Sequence, residues 1–446
     1  METRNLYLYW VGKEFKLISI LRNIIYLHST TGQGYKVNFI NEENLHEYIP
    51  HLPECFHSLC LAHQADFVRV NLICDNGGIW LDSDTLVVES LDCLFDFLEK
   101  DKDGFFIQHN NNQTLCNSVF GSKKQTPLMI HWKNKINEIL EQRQIQNVSI
   151  EWNEIGSDIL EECDPSLFHH YQIIPGKDSL FPVNWEDCEF EFINQPYLHY
   201  KSILRDFQPL VILVHSVYQR VETWTEQEIL QGENNPLHYF IQKSFGNLKL
   251  IDYDFMEIGT SNFDTLLQYA DDYTVGISVD AVKYYMDQLP DKLNVKKLNV
   301  GISNKNSSLD VYYIPERVIQ ENNLPYWFKG CNCVNNFHPL HLEHKVCHLV
   351  IKEKVKVITT FELFYQNQAR GVKFLKIDTE GHDCVILKSL FFYLKYLPKN
   401  FYPWKIQFES NEHTPPTRVD EIIELYSSIG YHLDHRGYDT RLIFNP

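Results

Sequence analysis

Apolar side chains recur at helical spacing in the segment that precedes two carboxylates, Asp82 and Asp84. This spacing predicts a helix with one buried face, whose apolar positions are Leu61, Ala65, Val68 and Leu72. Gly77 and Gly78 are expected to end the helix, because glycine accepts the positive φ found at helix termini. The apolar run 79–81 then predicts a short buried strand, with Asp82 and Asp84 where that strand leaves its sheet.

The two carboxylates predict a site for a divalent cation. Residues two apart on extended backbone point to the same side of a strand, and a cation held by such a pair can bind a diphosphate. Asp252 and Asp254 have the same spacing but lack the preceding glycines and strand, so there we expect solvated side chains. The context of Asp82 and Asp84, more than their spacing, therefore carries the prediction.

The segment 66–84 resembles the DXD-containing sugar transferases, which include capsular polysaccharide transferases and initiating mannosyltransferases. Their pattern is Asp-x-x-Arg on a helix and then Gly-Gly-x-aromatic-x-Asp-x-Asp. It is filled here by Asp66, Arg69, Gly77, Gly78, Trp80, Asp82 and Asp84, with tryptophan at the position of the usual tyrosine. The resemblance implies a GT-A-like α/β domain over residues 1–245 that transfers a sugar with retention of configuration.

The same resemblance implies roles for individual residues. Asp66, Arg69, Gly78 and Asp82 would contact the nucleotide-sugar donor, and Asp82 and Asp84 would bind Mn²⁺ or Mg²⁺. A late histidine completes the metal site in this family, and His215, after the apolar run 211–214 and before Trp224, is the candidate. The alternatives are a surface ion pair between Asp66 and Arg69 and a structural histidine at a strand end.

Aromatic and polar residues elsewhere in the first domain are further candidates. The run 6–10 predicts the first strand of the sheet, and Tyr9 or Trp10 could stack on the nucleotide base, although core packing explains an aromatic strand equally well. Asn117 and Asp158 could contact the donor or the acceptor sugar.

A second domain is expected to follow a boundary near residue 245, because the stretch 222–247 is polar and loses regular periodicity. The run 255–258 predicts a strand, and Gly259 then predicts a turn that opens a helix with free amide donors. Asp280 ends a second strand about 20 residues after this glycine, the spacing at which a carboxylate meets ribose hydroxyls. A further strand is expected over 298–303.

The segment 374–383, which reads Lys-Ile-Asp-Thr-Glu-Gly-His-Asp at its end, resembles FkbM-type methyltransferases, as does the later run 406–411. The resemblance implies a Rossmann-like α/β domain over residues 246–446 that binds S-adenosyl-L-methionine through Glu257, Gly259 and Asp280. Asp378 and Glu380 would orient or deprotonate an acceptor hydroxyl, and His382 and Glu409 are weaker candidates for the same pocket. The alternative is a turn stabilised by Asp378 and Gly381, with Glu380 solvated.

Charge and composition narrow the partners. The net charge of −19 argues against nucleic acid or an anionic membrane as the main partner, so the expected partners are a UDP- or GDP-sugar and a glycan acceptor. The eleven scattered cysteines are interpreted as reduced thiols. With no signal peptide and no apolar run of membrane-spanning length, we expect a cytoplasmic location, that of the host if the protein is viral.

These observations predict a bifunctional α/β enzyme that adds a sugar and O-methylates a glycan. One alternative keeps a catalytic role for one domain and makes the other a degenerate scaffold. Another is a non-catalytic glycan-binding or assembly protein, although such a protein does not need a metal-binding carboxylate pair. A hydrolase that uses Asp82 and Asp84 as acid and base is disfavoured, since carboxylates two apart on one strand cannot flank a scissile bond.

Overall fold

The chain divides into two compact units, Met1–Leu248 and Lys249–Pro446. The computed structural model describes residues 4–30, 33–99, 102–109, 114–146, 148–176, 193, 210–215, 217–232, 235–262, 265–334, 336–411 and 414–445. Every cysteine in these ranges is a free thiol. None of the helices within them has the length and apolar character needed to cross a bilayer.

The first unit contains a six-stranded mixed sheet in the order β2-β1-β3-β6-β5-β7 and a separate antiparallel pair, β4 and β8. Strands β2, β1 and β3 run parallel, and β6 is antiparallel to both of its neighbours. The strands are β1 (Asn5–Tyr9), β2 (Lys36–Ile40), β3 (Gly78–Leu81), β4 (Thr85–Val87), β5 (Gly104–Gln108), β6 (Leu115–Ser122), β7 (Tyr171–Pro175) and β8 (Val211–Leu213). The predicted strands at 6–10, 79–81 and 211–214 are confirmed, each to within a residue or two at its ends.

The helices of the first unit pack around this sheet. They are Lys16–His28, Leu45–Tyr48, Leu61–Asn76, Asp92–Glu99, Pro127–Gln146, Ser157–Glu162, Val217–Arg220, Glu226–Gln231 and Pro236–Gly246. The last two correct the prediction of an irregular stretch over 222–247. Thr225 starts the first of them with a capping box to Glu228, and Asn235 caps the second. The polar residues that suggest a loop in this stretch are therefore helix caps.

The predicted helix Leu61–Asn76 is present, but it is not a one-faced surface helix. Val68 and Leu72 are fully buried, whereas Leu61 is 56% exposed. The helix contacts β1 and β3 as well as the helix Pro127–Gln146, so its middle turns are covered on both sides. Its polar residues Asp66 and Arg69 are therefore buried as well, each 5% exposed.

The second unit contains a seven-stranded sheet in the order β11-β10-β9-β16-β17-β19-β18 and a four-stranded sheet in the order β12-β15-β13-β14. The strands are β9 (Ile251–Ile258), β10 (Gly276–Asp280), β11 (Val295–Asn299), β12 (Gly301–Ser303), β13 (Ser307–Tyr313), β14 (Cys333–Val334), β15 (Ile351–Thr359), β16 (Ala369–Ile377), β17 (Lys405–Glu409), β18 (Tyr431–Arg436) and β19 (Asp439–Phe444). The helices are Lys283–Gln288, Glu316–Glu321, Pro339–Glu343, Thr360–Gln366, Asp383–Leu394 and Pro416–Ser428.

The order of the parallel strands decides where this unit can bind a ligand. Strands β11, β10, β9, β16 and β17 are parallel, and their arrangement is the 3-2-1-4-5 order of doubly wound sheets. The order reverses between β9 and β16, and in such sheets the crevice outside the carboxyl ends of the strands at the reversal is the usual ligand site. Gly259 follows β9 and Asp378 follows β16, so both lie at this point.

Two predicted elements of this unit are wrong in detail. The run 298–303 is not one strand, because the chain leaves the large sheet at Val300, whose amide donates to Asp280 O, and then joins the smaller sheet as β12. No α-helix opens after Gly259 in the described residues; there is only the 3-10 turn Leu266–Tyr269. Its first amide, Leu266 N, donates to Glu257, so it is not available to a ligand.

Gly259 is required by backbone packing. Its φ is +83°, and a Cβ added there would lie 1.7 Å from the carbonyl oxygen of Asp378. Gly381 has a similar φ of +92° but no atom within 4 Å of an added Cβ. An alanine at either position must adopt a left-handed conformation, but only an alanine at position 259 would also clash with the backbone.

We expect Gly259→Ala to destabilise the second unit by about 3 kcal/mol or more, because the methyl group must displace the backbone of the neighbouring strand end. Gly381→Ala should cost only about 1 kcal/mol, the price of a left-handed alanine. Native-state hydrogen exchange of peptides from residues 249–446 measures both. Equal losses of protection would contradict the close approach.

Candidate functional site

Arg69 organises the predicted donor site of the first unit. Its Nη1 lies 3.4 Å from Asp66 Oδ1 and its Nη2 lies 3.2 Å from Asp82 Oδ1. Arg69 and Asp66 are almost completely buried, so the alternative of an exposed helical ion pair is wrong. Buried charges of this kind are held only where each has partners, because desolvation is costly.

Two further residues complete the frame around Arg69. Asn117 donates from Nδ2 to Asp66 Oδ1 at 3.0 Å, and its backbone carbonyl oxygen accepts from Arg69 Nη1 at 2.8 Å. Trp80 donates from Nε1 to Asp82 Oδ1 at 2.7 Å, and its ring lies 5.3 Å from the guanidinium carbon. The tryptophan that replaces the usual tyrosine thus fixes the first carboxylate of the pair. The sequence predicts that Asn117 contacts a sugar; in the structure, Asn117 contacts Asp66 and Arg69.

The single positive charge of Arg69 does not offset the negative charges of the carboxylates around it. Burial raises the pKa of Asp66 to about 6, although Arg69 opposes the shift. Burial, together with the charge of Asp82, raises the pKa of Asp84 to about 8. Since the ionised form of Asp84 is disfavoured as the site stands, an added cation would stabilise it.

His215 reaches this site through strand pairing. Strand β8 pairs with β4, which follows Asp84 directly, and Val214 N donates to Asp84 O at 3.1 Å. His215 itself has a left-handed φ of +40°. Burial lowers its pKa to about 4 against the opposing charge of Asp82, so its ring is neutral near pH 7, as a metal-ligating imidazole must be.

The three predicted metal ligands do not form a closed cage. In the described part of the chain, the only three acidic, histidine or cysteine residues whose ligand atoms lie within 4.8 Å of one another are Asp378, Glu380 and Glu409. Asp82, Asp84 and His215 therefore do not form such a set. Their chemistry still fits Mg²⁺ or Mn²⁺, because a site of one or two carboxylates that is completed by substrate phosphates is common for Mg²⁺.

The other predicted donor contacts occupy different environments. Tyr9 is 7% exposed, packs in the core and donates its hydroxyl to Gln64 Oε1 at 3.2 Å, which favours core packing over base stacking. Trp10 is half-buried and meets Tyr218 edge-on, with ring centres 5.3 Å apart. Gly78 lies against β1, where an added Cβ would be 2.6 Å from Asn5 O. Asp158 lies in the first turn of the helix Ser157–Glu162.

In the second unit, a cavity opens at the point where the strand order reverses. About 880 Å³ of empty space, part of it open to solvent, is lined by Gly259, Asp280, Asp378 and Glu380 among others. The smaller sheet forms an apolar wall with side chains from β13 and β15, namely Leu309, Val311, Val355 and Val357. The structure thus brings two predicted cofactor residues and both predicted acceptor-side residues to one cavity.

Two residues that line this cavity carry buried polar atoms. Ser261 Oγ and Asn332 Oδ1 have no hydrogen-bond partner among the residues that the structure describes. Asp280 accepts from Ser261 N and Val282 N, each at 2.7 Å, and burial raises its pKa to about 6. Each carboxylate oxygen has a second lone pair, so Asp280 can still accept from the hydroxyls of a ligand.

Glu257 does not line the cavity. It is fully buried and accepts from Thr265 Oγ1 at 2.6 Å and from Leu266 N at 3.0 Å, with Lys376 Nζ 3.3 Å away. Burial raises its pKa, and Lys376 opposes the shift. These contacts give Glu257 the task of holding the turn after β9, and they do not support the predicted direct contact with a cofactor.

Three carboxylates converge beside the cavity: Asp378, Glu380 and Glu409. Burial raises the pKa of Asp378 to about 8, with Asp383 as the next cause. Burial and then the charge of Glu380 raise the pKa of Glu409 to about 9. Asp378 and Glu409 therefore hold protons near pH 7 and can donate hydrogen bonds. His382 lines the cavity, as predicted, and its Nε2 lies 3.0 Å from Ser303 Oγ.

Sequence reasoning missed two histidines. His109 follows β5 and interacts electrostatically with His215; its place after an apolar strand resembles that of His215 and could have indicated it. His338 is 1% exposed and lies 3.0 Å from Glu380 through its Nε2. It comes from the segment between β13 and β15, and no motif in the sequence connects it to Glu380.

Residues 2–147 match the family model of capsular polysaccharide synthesis proteins, a span that covers the helix, the glycines and the carboxylate pair but less than half of the chain. No curated protein matches.

Among solved structures, the chain is similar to the glycosyltransferase GlyE of Streptococcus pneumoniae TIGR4, at 11% identity over 67% of this chain and 81% of that one, with a TM-score of 0.32. It is also similar to the galactosyltransferase LgtC in complex with donor and acceptor sugar analogs, at 12% identity over 55% and 97%, TM-score 0.30. A glycosyltransferase involved in the glycosylation of the major capsid of PBCV-1 matches at 11% identity over 50% and 99%, TM-score 0.31.

We expect Arg69→Met to destabilise the first unit by about 3–5 kcal/mol, because it leaves the buried Asp66 and the partly exposed Asp82 without the guanidinium group that pairs with them. The matched control is Arg143→Met, which should cost at most about 1 kcal/mol, because the Arg143 side chain is 26% exposed and that of Arg69 is 6% exposed. Hydrogen exchange of peptides from residues 61–76 and 127–146 measures both. Similar losses for the two variants would show that Arg69 does not neutralise the site.

Proposed function

We propose that the first unit is a metal-dependent glycosyltransferase that uses a nucleoside diphosphate sugar. The observation that carries the proposal is the pairing of the buried Arg69 with the buried Asp66 and the partly exposed Asp82, which leaves an excess of negative charge where strand β3 ends. The family match over residues 2–147 supports the same assignment. The carboxylate pair lies directly after strand β3, in the turn that leads into β4.

Some residues of the site would bind the metal ion, and others would hold those ligands in place. Asp82 and Asp84 would hold Mn²⁺ or Mg²⁺, with His215 as a third ligand, and Arg69 and Trp80 fix the orientation of Asp82. The cation supplies stabilisation of the negative charge that develops on a leaving diphosphate. Asp66 does not reach the cation in this scheme; it holds Arg69, and through Arg69 it positions Asp82.

Asp82→Asn and Asp84→Asn should each abolish the Mn²⁺-dependent binding of UDP or GDP, because the amide cannot supply an anionic ligand. Isothermal titration calorimetry with both nucleotides, with and without Mn²⁺, measures the effect. The control is the double variant Asp252→Asn/Asp254→Asn. In the wild-type protein these two carboxylates have the same spacing as Asp82 and Asp84, but they pair with Arg370 and Lys373 at the surface. If the control lost binding as well, or if neither nucleotide bound wild-type protein, the assignment would fall.

We propose that the second unit is an S-adenosyl-L-methionine-dependent O-methyltransferase. The cavity at the strand reversal supports this proposal, because it joins Gly259 and Asp280 to Asp378 and Glu380. Ser261 Oγ and Asn332 Oδ1, which have no partner within the described part of the chain, fit a ligand with hydroxyl and amine groups. Asp280 would accept from the ribose hydroxyls, and the apolar wall would pack against the adenine.

When bound, the cofactor supplies an activated methyl group, so the chain's own task is to position the acceptor. Asp378, protonated near pH 7, would donate a hydrogen bond that orients the acceptor. Glu380 would accept the proton of the acceptor hydroxyl. Gly259 would allow the backbone to approach the cofactor closely.

Asp280→Asn should weaken the binding of S-adenosylmethionine by about 10- to 100-fold, because the amide group places an N–H against Ser261 N or Val282 N and removes a charged acceptor. Calorimetric titration of the full chain measures the affinity. Asp287→Asn is the control, since Asp287 is exposed and pairs with Lys283. An affinity within about twofold of wild type would contradict the ribose assignment.

Together the two activities would let one chain add a sugar and methylate a glycan hydroxyl. This coupling rests on the presence of both units in one chain. If only one of the two ligands binds, the alternative with one degenerate scaffold domain replaces it; if neither binds, the glycan-binding alternative does.

A further inference from the structure

His338 enters the second site from the segment that joins β13 to β15. It precedes the short helix Pro339–Glu343 as its N-cap, and its side chain is buried. Its Nε2 lies 3.0 Å from Glu380 Oε2. Glu380 belongs to the turn after β16, more than forty positions along the chain. The segment that carries His338 also supplies Gly330, Asn332 and Val334 to the cavity lining, whereas His338 contacts a lining residue, Glu380.

The hydrogen bonds of His338 fix its tautomer. Its Nδ1 accepts from Leu340 N at 3.2 Å, and because a backbone amide can only donate, Nδ1 carries no proton. A neutral ring must then carry its proton on Nε2, and this N–H donates to the Glu380 carboxylate. The capping contact thus sets the direction of the hydrogen bond to Glu380.

Glu380 is held in an unfavourable backbone conformation beside other acids. Its φ is +51°, in the left-handed region that non-glycine residues rarely adopt. The groups that face it are Asp378 from its own turn, Glu409 from β17 and the thiols of Cys331 and Cys333, with His338 from the inserted segment. A strained residue in a cavity, held by a buried donor, is typical of a functional position.

We infer that His338 is a positioning residue that holds Glu380 for the reaction, an inference that rests on the proposed methyl transfer. The hydrogen bond from Nε2 occupies Oε2 and leaves Oε1 to receive the acceptor proton. In the step, a bond forms between the acceptor oxygen and the methyl carbon, and the methyl–sulfur bond breaks with its electron pair on sulfur. The hydroxyl proton passes to Glu380.

Two variants separate positioning from capping. His338→Asn keeps an oxygen where Nδ1 accepts from Leu340 N, so it can cap the helix, but it is too short to reach Glu380. His338→Gln can place an amide N–H near Glu380 but is a poor cap. We expect His338→Asn to lower methyl transfer from S-adenosylmethionine to a panel of methyl glycosides by about 10- to 100-fold, and His338→Gln to recover about tenfold of that loss. The affinity for S-adenosylhomocysteine should stay unchanged in both.

A measurement that needs no acceptor tests the same contact. In ¹⁵N-histidine-labelled full-length protein, the resonance lost in His338→Asn identifies the Nε2–H proton of His338, and we expect Glu380→Gln to move it upfield. A protonated Nδ1, or a resonance that Glu380→Gln does not move, would overturn the inference, as would greater activity in His338→Asn than in His338→Gln. A failure of S-adenosylhomocysteine to bind wild-type protein would instead overturn the proposed methyltransferase, and the resonance would then show only whether His338 donates to Glu380.

Discussion

The constraint on which both sites depend is the burial of carboxylates beside too little positive charge. In the first unit, Arg69 pairs with Asp66 and Asp82, yet burial still raises the pKa of Asp84 to about 8. In the second, Lys376 lies 3.3 Å from Glu257, while Asp378 and Glu409 have pKa values raised to about 8 and about 9. Folding tolerates this arrangement because hydrogen bonds and protonation replace the missing counterions.

The two units resolve the same constraint in different chemical ways. In the first, the raised pKa of Asp84 marks a place where a cation would be stabilised, and His215, with a neutral ring, follows the strand that pairs with β4, the strand after Asp84. In the second, the ligand oxygens of three carboxylates lie within 4.8 Å of one another, and His338 is hydrogen-bonded to one of them, Glu380. Under the proposed functions, the first arrangement would bind a diphosphate through a metal, and the second would accept the proton of a hydroxyl.

Local sequence patterns predicted the elements that carry the sites well. The strands at 6–10, 79–81 and 211–214 and the helix 61–76 follow from apolar periodicity and glycine punctuation, which act over a few residues. The pattern failed where a local signal had two meanings. Thr225 and Asn235 begin helices although they are polar, and the run 298–303 belongs to two sheets because pairing partners, not residue type, decide where a strand ends.

The sequence by itself determined which residues could do chemistry: Asp82 and Asp84 after their strand, and Gly259, Asp280, Asp378 and Glu380 at strand ends. These positions are readable because the carboxyl ends of parallel strands meet at one edge of a sheet. Only the tertiary structure decided how each is used. In the fold, Glu257 binds the turn after β9 and does not line the cavity. Asn117 and Trp80 hydrogen-bond to the carboxylates that pair with Arg69, and His338 lies within hydrogen-bond distance of Glu380. Contacts between residues far apart in sequence depend on packing and strand order, which no local pattern encodes.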